Sequence, residues 1–239
     1  MPTITPLTIY CATTLLIIAY LLGSIPSAVW IGKKYYGVDI REHGSKNAGT
    51  TNMLRVLGRR AAVPVFALDF LKGFLAVSII QLLHYDEVVG NNDIINLKIA
   101  ALFAAVLGHI FPIFAGFRGG KGVATLIGAV TGIVPTIALL CFGVWAIVLM
   151  ITHYVSLSSM VAGCTFPIFT MFWPRANKIN TPFIVFSFVI AVLLIITHRK
   201  NIKRLLDHSE SKTHIWPPKG EQPADSLTDE AHNEEQPEA

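Results

Sequence analysis

Charged residues are scarce in this chain of 239 residues. Asp, Glu, Lys and Arg make up 14% of it and hydrophobic residues 53%, with a mean hydropathy of +0.56. Soluble domains have about 25% charged residues, so this composition excludes an ordinary soluble domain. The apolar residues form long blocks without a period of 3.6 or 2. Because the backbone must satisfy its own hydrogen bonds in lipid, the pattern predicts an all-α integral membrane protein.

Cysteine is also scarce and is not paired. Cys11, Cys141 and Cys164 lie far apart within apolar stretches. An odd number of separated cysteines argues against a disulfide framework, and the sequence has no CxxC or Cys/His spacing for a metal. We therefore expect these residues to pack as small apolar side chains, and we expect neither a metal nor a cofactor.

Basic residues are not spread over the chain, and none precedes the first apolar block. The formal net charge is +4 and the pI is about 9.0. Because the basic residues cluster in loops beside apolar blocks, they indicate a lipid bilayer and not nucleic acid as the partner.

Residues 1–8 contain no Lys or Arg, so we expect no cleavable signal peptide and a first block that stays as a span. The absence of an internal repeat argues against a secondary transporter.

The apolar blocks predict seven transmembrane helices. Single blocks cover residues 6–31, 61–83 and 97–117, and a last block at 182–197 continues helically to 204. The stretch 123–173 is too long for two helices of about 20 residues, and its breaks before Thr136 and after Thr152 divide it into three. The piece before Pro135 is short, and a re-entrant piece there would reduce the count to five or six.

The distribution of Lys and Arg predicts an outside N-terminus and a cytoplasmic C-terminus. With seven spans, the basic segments 33–60, 118–121 and 199–204 share the cytoplasmic side. The opposite side has an acidic loop and three scattered cations: Asp86, Glu87 and Asp93, with Lys98, Arg175 and Lys178. We expect a membrane domain over residues 1–208 and a disordered polar, acidic cytoplasmic tail without chemistry over 209–239.

The run 44–55 is dense in glycine, hydroxyl and amide residues and ends on Arg55. Glycines let backbone N–H groups approach an anion, and helix N-termini bind anions. Thr51 and Arg55 are four residues apart and would share a helix face. Capping by Thr50, Thr51 or Asn52 is the alternative explanation of the run. The candidate ligand residues are Ser45, Asn47, Thr51, Asn52 and Arg55.

Three further polar segments lie at apolar edges. Lys121 lies in a glycine-rich turn that is not a Walker A loop, because that motif needs glycine at 115 and Ser or Thr at 122. Ser158 and Ser159 follow the break at 152–156, where capping is the competing explanation. His198 and Asn201 are three apart at the end of the last block, whose other basic residues we interpret as interface anchors.

Three polar residues lie inside apolar blocks, where ionisable groups are usually functional or paired. Asp69 and Lys72 have the spacing of a local ion pair, although Asp69 could instead hold Arg55 or Lys121. His109 is as compatible with a structural role as with a catalytic one. We assign all three a supporting role.

These segments together resemble the acyl-phosphate-dependent glycerol-3-phosphate acyltransferases of bacteria, the PlsY family. The resemblance covers about residues 18–212 and rests on ordered motifs: Gly23-Ser24-Ile25-Pro26 with the run 44–58, residues 69–73, residues 108–125, residues 154–159, and residues 198–202. Lys46 and Thr50 stand where glycine and alanine are usual in the family, and His208 stands near a usual glycine.

The resemblance implies a seven-helix fold in the bacterial inner membrane with a cytoplasm-facing site. It implies transfer of a fatty acyl group from acyl phosphate to the 1-position of sn-glycerol 3-phosphate, giving lysophosphatidic acid and phosphate. A soluble enzyme that supplies acyl phosphate is a further possible partner. By the resemblance, His198, Asn201, Ser158 and Ser159 are catalytic, and the run 44–55 and Lys121 bind substrate. The general base stays open between His198 and the substrate's own phosphate, and an anion transporter is the competing class.

Overall fold

The structure, a computed structural model, describes residues 6–84, 91–172 and 181–213. All regular structure in these ranges is helical. The helices are α1 Pro6–Gly23, α2 Ser27–Tyr36, α3 Thr50–Ser78, α4 Asn91–Ile110, α5 Val123–Ile133, α6 Pro135–Thr152, α7 Val155–Phe172, α8 Thr181–Thr197 and α9 Arg199–Leu206. Short 3₁₀ segments occupy Ile79–His84 and Ile113–Ala115. Our expectations for Asp86, Glu87, Arg175, Lys178 and the tail from residue 214 lie outside the described residues.

The helices confirm the all-α membrane class. Five segments of the described chain are long and apolar enough to cross a bilayer: 9–36, 50–82, 93–115, 135–152 and 155–172. α8 and α9 form a sixth if they are one span with a 58° bend, and α5 is a shorter apolar helix. Each of the seven predicted blocks therefore contains helix: the first contains α1 and part of α2, the last contains nearly all of α8 and most of α9, and α5 is the short piece. The count of seven spans and the orientation stay predictions.

Two breaks in the predicted blocks shape the polar edge. The first block is interrupted at residues 24–26, where Pro26 lacks a backbone donor, and α1 and α2 together form the candidate span 9–36. α3 begins at Thr50, well before the predicted start at 61, and bends at Gly58, whose φ is +77°. Glycine takes this left-handed conformation without a Cβ clash. The bend gives the segment with Thr51 and Arg55 its own direction at the end of the span.

Small residues let the helices approach closely. α3 packs most extensively on α5, α1 on α4, and α6 on α7. A Cβ at Gly73 of α3 would overlap the Thr125 carbonyl of α5, and one at Gly128 would overlap the Phe70 carbonyl. A Cβ at Gly132 would overlap the Val77 side chain, so the spacing of Gly128 and Gly132 allows the close packing typical of small residues four apart.

A cavity lies between two groups of helices. α3 packs with α1, α4 and α5, whereas α7 packs with α6 and α8, and the groups meet mainly through α5 with α6 and α4 with α8. The lining of the cavity comes from α3 and α5 on one side and from α6, α7 and α8 on the other. This arrangement brings residues from four separate chain segments to one place.

Candidate active site

The cavity has a volume of about 700 Å³ and two chemically different ends. The polar end is lined by Ser45, Asn47, Thr50, Thr51, Asn52, Arg55, Arg59, Lys121, Ser156, Ser159, His198, Asn201 and Glu210. The other end is apolar and includes Phe66, Val130, Cys141, Phe142, Trp145 and Phe166. Most of the residues singled out in the sequence meet at the polar end, although they are separated by up to 156 positions along the chain.

Asn52 builds the loop that precedes α3. It is 1% exposed, and its amide nitrogen donates to the carbonyl oxygens of Ile40 and His43, each at 3.0 Å. Its amide oxygen accepts from the Ser45 backbone N–H at 2.8 Å. Because both ends of the amide are engaged by backbone groups, Asn52 positions the loop instead of offering a free donor. Asn52 also lines the cavity, and its expected role in substrate binding stays a prediction.

The first turn of α3 presents hydroxyl groups and Arg55 to the cavity. The capping explanation was wrong, since α3 begins after Gly49 and no side chain caps it. Thr50 and Thr51 instead lie in the first helical turn, and the Thr50 hydroxyl is buried without a hydrogen-bond partner among the described residues. Thr51 and Arg55 both line the cavity, as their spacing predicted.

Lys121 comes from a turn that is fixed by its backbone. Gly119 N–H donates to the Ile110 carbonyl at 3.2 Å, and Gly120 N–H donates to the His109 carbonyl at 3.1 Å. The Lys121 ammonium donates to the side-chain oxygen of Asn201. Burial lowers the pKa of Lys121 to about 8; Glu210 opposes the shift, whereas Arg204 and Arg55 add to it. A bound anion at this position would favour the charged ammonium.

Glu210 is a residue of the polar end that the sequence reasoning missed. It accepts from the Asn201 amide at 2.7 Å, the Ser156 hydroxyl at 2.9 Å and Arg204 Nε at 2.7 Å. These hydrogen bonds lower the pKa of Glu210 against the opposing effect of burial, which is the largest single influence. The carboxylate therefore fixes the amide of Asn201, whose oxygen faces Lys121.

The contacts of Glu210 show that ordered packing continues past residue 208, although the division into two domains there stays a prediction. Glu210 is buried, and Thr213 N–H donates to the His153 carbonyl at 2.8 Å. The available signal was a pair of carboxylates, Asp207 and Glu210, just beyond the basic helix 199–206. A carboxylate at this position can form an ion pair with Arg204 and accept a hydrogen bond from the Asn201 amide.

His198 lies at the junction of α8 and α9 and is 2% exposed. Its Nδ1 lies 2.8 Å from the Leu194 carbonyl oxygen. Since a carbonyl only accepts, Nδ1 carries the hydrogen, and Nε2 of the neutral ring is left as an acceptor. His198 can therefore accept a proton from a group in the cavity.

The serines of α7 are placed differently from our expectation. Ser159 lines the cavity, but Ser158 does not; Ser156, one turn before Ser159, lines it instead. The reason is helical geometry, since residues three apart share a face and neighbours do not. The hydroxyls of Ser158 and Ser159 each donate to the carbonyl four residues earlier at 2.8 Å.

Asp69, Lys72 and His109 form a buried group, and Asp69 and His109 are also among the residues that line the cavity. Lys72 Nζ lies 2.7 Å from an Asp69 carboxylate oxygen and donates to the Ile25 carbonyl at 2.8 Å. Asp69 therefore pairs locally and does not hold Arg55 or Lys121. His109 Nδ1 shares a hydrogen bond of 3.0 Å with the Thr125 hydroxyl and lies 3.7 Å from Asp69.

Two of the three positions that depart from the family pattern, Lys46 and His208, have a backbone explanation. Lys46 and His208 have φ values of +60° and +54°, in the left-handed region that favours glycine. Lys46 is exposed and does not line the cavity. The glycine usual there is thus a conformational requirement that lysine also meets, and not a phosphate contact.

Comparison with known proteins decides the family. The sequence model of the family "Glycerol-3-phosphate acyltransferase" matches residues 13–208. The chain belongs to the glycerol-3-phosphate acyltransferase family. It is 40% identical over 197 residues to a glycerol-3-phosphate acyltransferase of Fusobacterium nucleatum, covering 82% of this chain and 95% of that one. It is 45% identical over 197 residues to one of Thermoanaerobacter sp. strain X514, covering 82% and 92%.

Two solved structures of PlsY (YgiH), an integral membrane glycerol 3-phosphate acyltransferase, share the fold of this family member. The glycerol 3-phosphate form matches with a TM-score of 0.75 and 39% identity, covering 85% of this chain and 96% of that one. The lysophosphatidic acid form matches with a TM-score of 0.72 and 39% identity, covering 84% and 95%. This acyltransferase family member is therefore a multi-pass integral membrane protein. The family match ends at residue 208, two positions before Glu210.

Proposed function

We propose that this protein transfers a fatty acyl group from acyl phosphate to the 1-hydroxyl of sn-glycerol 3-phosphate, with lysophosphatidic acid and phosphate as products. The observation that carries the proposal is a single cavity with a cationic, hydrogen-bonding end and an apolar end. Both substrates have an anionic phosphate, and one also has an acyl chain. A cavity of this composition fits both requirements at once.

The polar end is suited to phosphate groups. Arg55, Arg59 and Lys121 line it, and Glu210 is engaged by Asn201, Ser156 and Arg204. The N-terminal turn of α3 adds backbone N–H groups and the Thr50 and Thr51 hydroxyls. An arginine, a lysine and a helix N-terminus are common partners of phosphate in proteins. We infer that Lys121 and polar cavity-lining residues of the run 44–55 hold the substrate phosphates; these residues are Ser45, Asn47, Thr51, Asn52 and Arg55.

The apolar end is suited to an acyl chain. Its lining comes from α3, α5, α6 and α7, with Phe142 stacked on Trp145 at a centroid distance of 5.5 Å. Val63 of α3 is 66% exposed and Phe142 of α6 is 46% exposed, although both line the cavity. These two helices do not form an extensive contact. We infer that the acyl chain enters from the bilayer between α3 and α6.

The chemistry requires little more than positioning and charge stabilisation. The glycerol hydroxyl oxygen attacks the acyl carbonyl carbon, the bond from that carbon to the phosphate oxygen breaks, and phosphate leaves with the electron pair. Donors such as Lys121 and Asn201 can stabilise the developing oxyanion. Among the described residues no base contacts the Ser158 or Ser159 hydroxyl, which favours direct transfer over a serine-bound acyl intermediate.

The proton of the attacking hydroxyl has two possible acceptors. One is Nε2 of His198, and the other is the phosphate of glycerol 3-phosphate, because a phosphate monoester has a second pKa of about 6. Turnover of His198→Ala at saturating glycerol 3-phosphate separates them. Near-normal turnover would assign His198 to binding, and a loss of about 100-fold would assign it the role of base.

The setting that we propose is the bacterial inner membrane, with the polar end facing the cytoplasm. A cytoplasmic opening would give soluble glycerol 3-phosphate direct access. It would also allow a soluble enzyme that makes acyl phosphate to deliver it at the membrane surface. The basic segments 33–60, 118–121 and 199–204 support this orientation by the charge bias of membrane proteins.

The deciding experiment is an assay of the purified protein in nanodiscs with labelled glycerol 3-phosphate and palmitoyl phosphate, with palmitoyl-CoA as the alternative donor. We expect lysophosphatidic acid and one inorganic phosphate per product with palmitoyl phosphate, and little product with palmitoyl-CoA. Equal or greater turnover with palmitoyl-CoA would contradict the proposed donor while leaving the family unchanged. Transport of glycerol 3-phosphate into proteoliposomes without acylation would favour the competing transporter class.

A further inference from the structure

The turn that holds Lys121 lies directly on the imidazole of His109. His109 is buried in the last turn of α4, and its carbonyl accepts from the Gly120 N–H. A Cβ added at Gly120 would overlap His109 Nε2 and would lie 2.8 Å from the Ala48 carbonyl oxygen. The Cα of Gly120 is therefore enclosed between the imidazole and the loop that precedes α3.

The other side of the imidazole is fixed by two helices. Nδ1 shares a hydrogen bond with the Thr125 hydroxyl of α5 and lies 3.7 Å from Asp69 of α3. Asp69 is held in turn by Lys72, which also donates to the Ile25 carbonyl beside the break between α1 and α2. The ring thus has a defined position relative to α3, α4 and α5 and, through Lys72, to the break between α1 and α2.

We propose that His109 is a positioning residue that sets the place of Lys121 in the cavity through the backbone of Gly120. The imidazole of His109 lies against the turn at Gly120. The side-chain oxygen of Asn201 accepts a hydrogen bond from the Lys121 ammonium. Removal of the ring leaves space into which Gly119 and Gly120 can move. The ammonium then moves away from Asn201 and from any phosphate that it binds.

Substitution of Gly120 distinguishes a positioning role of His109 from a general structural role. Gly120→Ala introduces a methyl group where the ring lies, so the turn is displaced in the wild-type background. In a His109→Ala background much of that space is free, and only the Ala48 carbonyl still restricts the methyl group. The two substitutions should therefore be non-additive, with the double variant less impaired than the product of the single effects.

The proposal rests on the proposed function for its kinetic test, but it also has a test without substrate. Lysines labelled by reductive methylation with ¹³C give NMR signals, and Lys121→Arg identifies the signal of Lys121. In the wild type the pKa of Lys121 is lowered to about 8 by burial. In His109→Ala we expect Lys121 to titrate closer to the ordinary lysine value, because the displaced amine is less buried.

The kinetic test compares the Michaelis constant with turnover. His109→Ala should raise the Michaelis constant for glycerol 3-phosphate at least fivefold and change turnover by less than twofold. His109→Asn can retain a polar group near the Thr125 hydroxyl but lacks the ring edge, so it should fold like the wild type and still show the raised constant. Thr170→Val is the matched control, because it removes a buried hydrogen bond of 3.0 Å to Ser187 that lies away from the cavity lining.

Two results would overturn the proposal. One is an unchanged Lys121 titration in both His109 variants together with an unchanged Michaelis constant. The other is strict additivity of His109→Ala and Gly120→Ala. If the wild type fails to acylate glycerol 3-phosphate with any donor, the proposed function fails, and the Lys121 titration still decides the role of His109.

Discussion

The loop 44–55, which ends in the first turns of α3, and the turn before α5 bring Arg55 and Lys121 to the polar end of the cavity, and they are built by different means. The first is held by a side chain, since the Asn52 amide binds the backbone of Ile40, His43 and Ser45. The second is held by backbone hydrogen bonds of Gly119 and Gly120 that lie on His109. The conformation of the first loop should therefore depend on the Asn52 amide. The second requires glycine at 119 and 120, because a Cβ at either position would overlap atoms of His109.

Each loop also has a second cation that faces away from the cavity. Arg55 and Lys121 line the cavity, whereas Lys46 and Arg118 are exposed and do not. The two cations of each loop carry the same charge, so the sequence alone does not show which of them lines the cavity. The comparison thus separates the effect of position from that of charge, and each loop supplies its own control variant.

The largest effect should come from Lys121→Ala. Hydrogen bonds to charged groups contribute about 1.5–3 kcal/mol, so we expect a loss in kcat/KM of roughly 10- to 150-fold. The measurement is the steady-state assay with glycerol 3-phosphate and acyl phosphate. Arg118→Ala, three residues earlier, should stay within twofold of the wild type. Similar losses in both variants would contradict the importance of position.

Asn52→Ala should have the next largest effect, by releasing the first loop. Three hydrogen bonds are lost, and the buried groups at Ile40, His43 and Ser45 lose their partners, at about 1 kcal/mol or more for each. We expect a lower melting temperature and about a tenfold loss in activity. Lys121→Ala should by contrast leave the melting temperature nearly unchanged. Wild-type stability and activity in Asn52→Ala would show that the loop is held by other contacts.

The pH dependence of the Michaelis constant for glycerol 3-phosphate should come from Lys121 of the second loop. Lys121 has a pKa of about 8 because burial disfavours its charged form, so it loses its proton as the pH rises above 8. We therefore expect the Michaelis constant for glycerol 3-phosphate to be nearly flat around pH 7, to be about twofold higher at pH 8, and to rise toward tenfold per pH unit above it. Lys121→Arg stays charged and should abolish the rise. A flat profile to pH 9.5 in the wild type would contradict the assignment.

The smallest effect should come from Lys46→Gly. A left-handed lysine is strained by about 1–2 kcal/mol. Glycine removes that strain but makes the unfolded chain more flexible by about 0.4–1 kcal/mol. We expect the free energy of unfolding to change by less than about 1 kcal/mol and kcat/KM to stay within twofold. A fivefold change in the Michaelis constant would return Lys46 to the substrate site.

The sequence predicted the membrane helices and the polar edges because both are local patterns. The apolar blocks predicted the helices, and the spacing of four residues predicted that Thr51 and Arg55 share a helix face. What it could not predict depends on tertiary contact. The three hydrogen bonds of Asn52 are to backbone groups 7 to 12 residues away. Ser156 replaced Ser158 in the cavity because the rotation of α7 is set by packing. Glu210 escaped notice because its partners, Ser156 and Asn201, lie on other helices.

The central claim is that the polar end of the cavity binds the phosphate of glycerol 3-phosphate through cations that line it. The most direct test is calorimetric titration of glycerol 3-phosphate into the wild type, Arg55→Ala and Lys46→Ala at pH 7 without an acyl donor. We predict that Arg55→Ala raises the dissociation constant at least tenfold, consistent with about 1.5–3 kcal/mol for a charge-assisted contact, and that Lys46→Ala leaves it within twofold. An unchanged dissociation constant in Arg55→Ala would contradict the claim.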